Sequence, residues 1–141
     1  MTRKRASPFI KIIAAVLLVS AYPAFVLGYT WSHVARSNLP GGRHGPLDAY
    51  RHTLASAVVA FTVSPRAVEW ATWVMERRAE DANLMDQRNN RIGAAIGLRA
   101  RSFNEIEPAV QAQVLRGAVN TRDAVQVTWL PPERWRTSRL W

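Results

Sequence analysis

The hydrophobic pattern divides the chain into one long apolar run followed by shorter amphipathic stretches. Positions 12–29, IIAAVLLVSAYPAFVLGY, carry no charged side chain. A helix needs about 20 predominantly apolar residues to cross a bilayer, within a range of roughly 17–25. Phe9 and Ile10 precede the run and Trp31 follows it. Lys11 can lay its stem along the helix and keep its ammonium among the headgroups. Tyr29 and Trp31 stand where an aromatic belt would mark the far interface. Pro23 falls inside the run, which membrane helices tolerate. Residues 12–31 therefore predict a transmembrane anchor. A cleaved signal peptide and a buried helix of a soluble domain compete with it, the first because Val19-Ser20-Ala21 has the small-residue spacing of a cleavage site. The apolar run continues past Ala21, which favours the uncleaved anchor.

Residues 32–45 read as a linker, with Ser, Asn, Pro and the pair Gly41-Gly42 and no apolar period. A helical domain is predicted over 46–119. Pro46 suits a first helical position, and Leu47, Tyr50, Leu54, Ala57, Val58 and Phe61 follow at helical spacings. Ser64-Pro65 is a second start signal, a capping hydroxyl before a proline. The helix it opens carries Val68, Trp70, Ala71, Val74 and Met75 mainly on one side. A third helix is predicted over about 84–99, and Ser102 or Asn104 would cap a fourth reaching about Val119. Val125, Val127 and Trp129 alternate as in a short extended segment, and Pro131-Pro132 ends regular structure. The predicted fold class is all-α: an N-terminal transmembrane helix, a small three- to four-helix domain, and a basic aromatic tail over 120–141.

Charge changes the picture through its distribution. The 141 residues carry 19 Lys+Arg against 10 Asp+Glu, a net +9. Such a balance suggests nucleic acid or an anionic membrane as partner. Arg3, Lys4, Arg5 and Lys11 fall within residues 1–11, where no acid stands. Cations ahead of the span predict a cytoplasmic N-terminal segment. The protein is then expected to be single-pass in the inner membrane, with its domain periplasmic or otherwise extracytoplasmic. That placement, and the lack of a recognition motif, argue against a nucleic-acid partner. With no cysteine in the chain, disulfides, thiolate zinc sites and cysteine nucleophiles are excluded.

Two constellations carry candidate chemistry. In Asp48-Ala49-Tyr50-Arg51-His52 the carboxylate and the imidazole are four apart and share a helix face. The pair could act as a general base or as metal ligands. The plainer role for Asp48 is to stabilise the helix N-terminus and pair with Arg51. His44, in the glycine-rich loop, is placed to approach the same point. The second constellation is Met85-Asp86-Gln87-Arg88-Asn89-Asn90-Arg91-Ile92-Gly93. Asp86, Asn90, Gly93 and Gly97 share one face, where the glycines would admit a second helix closely. Two asparagines and a glycine are poor helix formers, and a sequence that keeps them is accepting that cost for a site or for an interhelical hydrogen-bond cluster. Glu76 stands at the margin of the preceding helix's apolar face, and Glu80 and Asp81 read as solvated partners of Arg77 and Arg78.

These motifs resemble a bacterial helical domain family of unknown function, whose members show D-A-[FY]-R-H, a helix often ending in H-E, and then M-D-x-x-N-N-x-x-G. The likeness covers roughly residues 42–97. It implies a small helical domain with a polar cluster of His52, Glu76, Asp86, Asn89 and Asn90, and it implies no particular reaction. Met75 stands where the family often has histidine, which implies a weakened or inactive member if that histidine is a ligand or a base.

The mixture of imidazole, carboxylates and amide oxygens suits a hydrolytic site that could hold a hard or borderline divalent ion. His52, Glu76 and Asp86 are the candidate catalytic or metal-binding residues. Asp48, Arg51, Asn89 and Asn90 are candidate binding residues. The expected function is a membrane-anchored hydrolase acting on an envelope component. The alternative is a non-enzymatic module that binds an envelope protein or lipid through Trp129, Trp135 and Trp141, interleaved with Arg134, Arg136 and Arg139.

Overall fold

The computed structural model describes residues 7–75 and 81–136. The basic residues Arg3 to Arg5, and Glu76, Glu80, Arg139 and Trp141, lie outside the described residues. The architecture is helical, with five α-helices and one short strand pair among the described residues.

Helix α1 spans Pro8–Arg36, and the Ser7 hydroxyl accepts from the Ile10 N–H at 3.4 Å. Ala15–Arg36 is long and apolar enough to cross a membrane, with a mean hydropathy of 1.4. The helix has two regimes. Phe9, Ile10, Ile12, Val16 and Leu17 are exposed, whereas Val26, Thr30 and Val34, spaced one turn apart, are buried against the domain. That stripe carries the helix past the expected boundary at residue 31.

Helix α2, Pro46–Thr62, lies at the centre and touches α1, α3, α4, α5 and β2. The flanking helices take their directions from contacts along it. The Tyr22 hydroxyl meets the Thr62 hydroxyl at 2.6 Å, and Trp31 lies under the Arg51 guanidinium at 5.5 Å, so α1 runs antiparallel to α2. Helix α4, Asp81–Arg99, runs parallel to it, with Gly93 against the Thr53 carbonyl and Gly97 against that of Ala57. A side chain at either glycine would strike backbone. Helix α3, Pro65–Met75, packs antiparallel to both, with Val68 buried beside Ala60 and Ala94. Ser64 caps it, accepting from the Ala67 N–H at 3.2 Å.

After α4, a 3-10 turn at Phe103–Glu105 leads into α5, Ile106–Leu115. Ile106, Val110 and Val114 enter the core, and Phe103 packs on Phe25, Tyr29 and Phe61. The helix stops short of the expected Val119. The chain pairs instead as β1, Ala118–Val119, parallel to β2, Thr128–Trp129, with Ala118 opposite Thr128.

The segment over 120–136, expected as a tail, is packed onto the domain. Leu130 N–H donates to the His44 carbonyl and Arg136 N–H to that of Arg43, both at 3.0 Å. The Trp135 indole donates to the Leu130 carbonyl at 2.6 Å, and its ring covers Gly41 and Gly45. Gly41 has φ +78°, and a side chain there would also meet Trp135. Trp129 and Trp135 are therefore both part-buried.

Gly97→Ala is expected to lower stability by up to about 2 kcal/mol. Overpacking costs about 1–3 kcal/mol, and the better helix propensity of alanine returns about 1. Gly28→Ala, where nothing lies near the added carbon, is the control and should not lower it. Urea midpoints of the two full-length variants in detergent check this.

Candidate metal centre

Asp48 lies in the first turn of α2, where the helix dipole favours an anion. Its Oδ2 accepts from the His44 N–H at 2.7 Å, a reach back across the helix start like that of a capping box. This contact accompanies the left-handed backbone of His44, φ 72°. Its Oδ1 forms an ion pair with Arg51 one turn on. The helix-stabilising role expected of Asp48 is thus present.

Asp48 also faces His52. The imidazole Nε2 stands 3.6 Å from Asp48 Oδ1 and 3.4 Å from Asp86 Oδ2 of α4. One ligand atom from each of these three residues can be chosen so that all lie within 4.8 Å of one another. The Asp48 side chain is 1% exposed, that of Asp86 12% and that of His52 22%. The site is thus recessed, with its imidazole open to solvent on one side.

Burial pushes the His52 imidazole down to about 4, against the opposing pull of the Asp48 charge. Burial lowers His44 as well, again opposed by Asp48. A neutral His52 protonated on Nδ1 presents the Nε2 lone pair to its surroundings, where Arg51 Nη2 lies 3.3 Å away. Arg51 therefore bridges Asp48 and His52 while its guanidinium stacks on Trp31. His44 Nδ1 comes within 4.0 Å of Asp48 Oδ2, close to where its loop position suggested.

The spacing fits a metal ion. Ligand atoms about 2.1 Å from a tetrahedral ion lie ~3.4 Å from each other, close to the two distances measured from His52 Nε2. One imidazole and two carboxylates suit a borderline or hard divalent cation such as zinc or manganese. Three protein ligands leave a coordination position for water, the arrangement of catalytic sites.

The two asparagines do different work. Asn90 hydrogen-bonds His52, accepts from Ser56 Oγ at 2.9 Å, and donates to Thr72 Oγ1 at 3.1 Å. It supports the imidazole and ties α2, α3 and α4 together. Asn89 turns away from the cluster. Its amide donates to the Thr128 carbonyl at 2.8 Å and its oxygen accepts from the Thr128 N–H at 3.0 Å, so it substitutes for a neighbouring strand on β2. Glu76 lies outside the described residues, as does the side chain of Met75.

The structure thus brings together Asp48, Arg51, His52 and Asp86, with Asn90 behind them, and commits Asn89 to β2. Ser56 and Thr72 were not singled out from the sequence. Asp48, His52 and Ser56 do form an i, i+4, i+8 row on α2 that could have marked Ser56. Thr72 carries no comparable signal.

Compared with protein-family models, with curated proteins and with solved structures, the chain matches none.

Asn89→Ala is expected to destabilise the fold by about 2–6 kcal/mol. It leaves a buried N–H and a buried C=O without partners, at about 1–3 kcal/mol each. Denaturant unfolding gives the magnitude. Faster proteolytic cleavage within 120–127, with helicity retained, would locate the damage at β2.

Proposed function

We propose that this chain is a membrane-anchored hydrolase whose centre is a divalent cation held by Asp48, His52 and Asp86, acting on a component of the cell envelope. The carrying observation is the convergence of one imidazole and two carboxylates from two helices, with His52 Nε2 3.6 and 3.4 Å from the two carboxylate oxygens and all three ligand atoms within 4.8 Å of one another. The motif likeness implies His52 and Asp86 of this set, together with Asn90 behind them. Helix α1 is the anchor in this reading, because its exposed apolar residues precede the segment that packs on the domain.

Each residue then has a task. Asp48, held by the His44 N–H, and His52, supported by Asn90, are preorganised as ligands by contacts that do not involve the ion. Asp86 completes the set from α4. A bound divalent ion lowers the pKa of a coordinated water, supplying a nucleophile near neutral pH. Arg51 is the resident cation that must yield Asp48 Oδ1 when the ion enters. It is 26% exposed and already stacked on Trp31, so it can swing aside. From there its guanidinium can stabilise the oxyanion that develops on the substrate.

Zinc or manganese titration of the full chain in detergent tests the reading. The wild-type protein is expected to bind one ion. His52→Ala and Asp86→Asn should each weaken binding by well over ~100-fold, beyond the roughly 10–100-fold cost of losing a supporting contact, with helicity unchanged by circular dichroism. Arg51→Gln removes the competing cation and should bind the ion more tightly while cleaving a short-chain soluble ester more slowly. A wild-type chain that takes up neither ion at about millimolar concentration, well above the range of functional sites, would sink the proposal.

A further inference from the structure

A groove of about 780 Å³ lies between α3 and α4. Val68 and Trp73 of α3 and Ala94, Ala95 and Leu98 of α4 give it apolar walls, with Glu69 and Arg91 along the fringe. At one end Pro65, the first residue of α3, meets Leu98 near the end of α4. At the other end stand Thr72 and Gln87. Gln87 adjoins Asp86, and Thr72 accepts from Asn90, which bonds His52. The groove therefore runs from the Thr72–Gln87 end, where Asn90 stands between Thr72 and His52, to the opposite end of the domain. Over the stretch from Gln87 to Leu98, α4 rises ~16 Å, matching half of the ~30 Å hydrocarbon core of a bilayer.

The apolar end is the one from which α1 departs. Tyr22 is bonded to Thr62 at the α2–α3 turn, and the exposed apolar part of α1 precedes it. Residues 9–21 rise only ~20 Å as helix, less than the ~30 Å core. An α1 that spans must therefore draw the exposed Phe25 and Leu27 to the membrane, and the α2–α3 turn with them. That end of the domain suits such a position. Val63 and Leu98 are 57% and 67% exposed, and Arg66, Arg99 and Arg101 are exposed around them. Apolar side chains among guanidinium groups complement an anionic headgroup layer.

We propose that the groove receives one acyl chain of an anionic phospholipid from the adjoining leaflet, and that acyl-ester lipids are the substrate class of the Asp48–His52–Asp86 centre. The inference rests on the hydrolase reading above. The chain enters between Pro65 and Leu98 and its ester comes to lie at the Thr72–Gln87 end. In the hydrolysis, the water oxygen bonds to the acyl carbonyl carbon and the bond from that carbon to the glycerol oxygen breaks. One water proton ends on the glycerol oxygen, and the other is released to solvent from the fatty acid.

The test uses the full chain in nanodiscs of phosphatidylglycerol brominated in the middle of its acyl chains. Bromine quenches nearby indole, and comparison with Trp73→Phe isolates the Trp73 signal. Trp73 is expected to be quenched, more strongly in phosphatidylglycerol than in phosphatidylcholine discs. Ala95→Leu, which projects into the groove from a part-exposed position, should abolish that quenching and reduce fatty-acid release at least tenfold while still binding the metal ion and cleaving a short-chain soluble ester. Replacing Arg66, Arg99 and Arg101 together by Gln should remove the preference for the anionic lipid. Unquenched Trp73, or quenching indifferent to the filled groove, overturns the inference, and intact metal binding with soluble-ester cleavage would then show that the hydrolase reading stands. Quenching without cleavage of either substrate overturns the hydrolase reading and the substrate assignment with it.

Discussion

Two helix backbones come together where α4 carries Gly93 and Gly97. With no side chain at either position, α4 rests directly on the Thr53 and Ala57 carbonyls of α2. This contact fixes the spacing and the parallel direction of the two helices, and both halves of the candidate centre depend on it. Asp86 lies two helical turns before Gly93 on the same face, so the close approach brings its carboxylate to His52 on α2. A bulkier interface would hold the helices farther apart, at the 8–10 Å usual for side-chain packing, and would separate the three side chains.

Polar groups set into that interface would be costly if left alone. Here they satisfy one another. Asn90 bonds residues of both neighbouring helices, and Asn89 takes up both backbone groups of Thr128. The poor helix formers of α4 thus have specific employment. One supports the imidazole and the other holds the C-terminal segment, which in turn covers the start of α2 through Leu130, Trp135 and Arg136. The arginines of that segment, which looked like an unattached basic tail, are carried back to the neighbourhood of His44 and Asp48, where Arg134 meets Asp81 at 3.1 Å. The cluster is enclosed at one end by this segment. The α3–α4 groove, beyond Asn90 and Thr72, extends toward the end of the domain from which α1 departs.

Much of the helical layout was legible in the chain, because local signals are strong there. Pro46 and Ser64-Pro65 start α2 and α3 where expected, and the stop near Arg99 ends α4. The apolar run gave one long N-terminal helix. Its C-terminal extent was not legible, since Val34 continues a stripe that matters only once α2 is beside it. The end of α5 and the fate of residues 120–136 were likewise hidden. A two-residue parallel strand pair has no periodicity to read, and its stability comes from Asn89, far away in sequence.

The sequence by itself determined the helix starts, the apolar character of α1, and the shared face of Asp86, Asn90, Gly93 and Gly97, because these follow from chain geometry and local propensity. It also placed Asp48 and His52 one turn apart. Only the tertiary structure decided which of the candidate side chains meet. Asp48, His52 and Asp86 converge because the glycines let two helices touch, and Asn89, adjacent to Asn90, points elsewhere because a step of one residue turns a side chain about 100° around the helix. Periodicity lists the residues on a face, but which partner that face meets, and at what distance, is set by packing between segments remote in sequence.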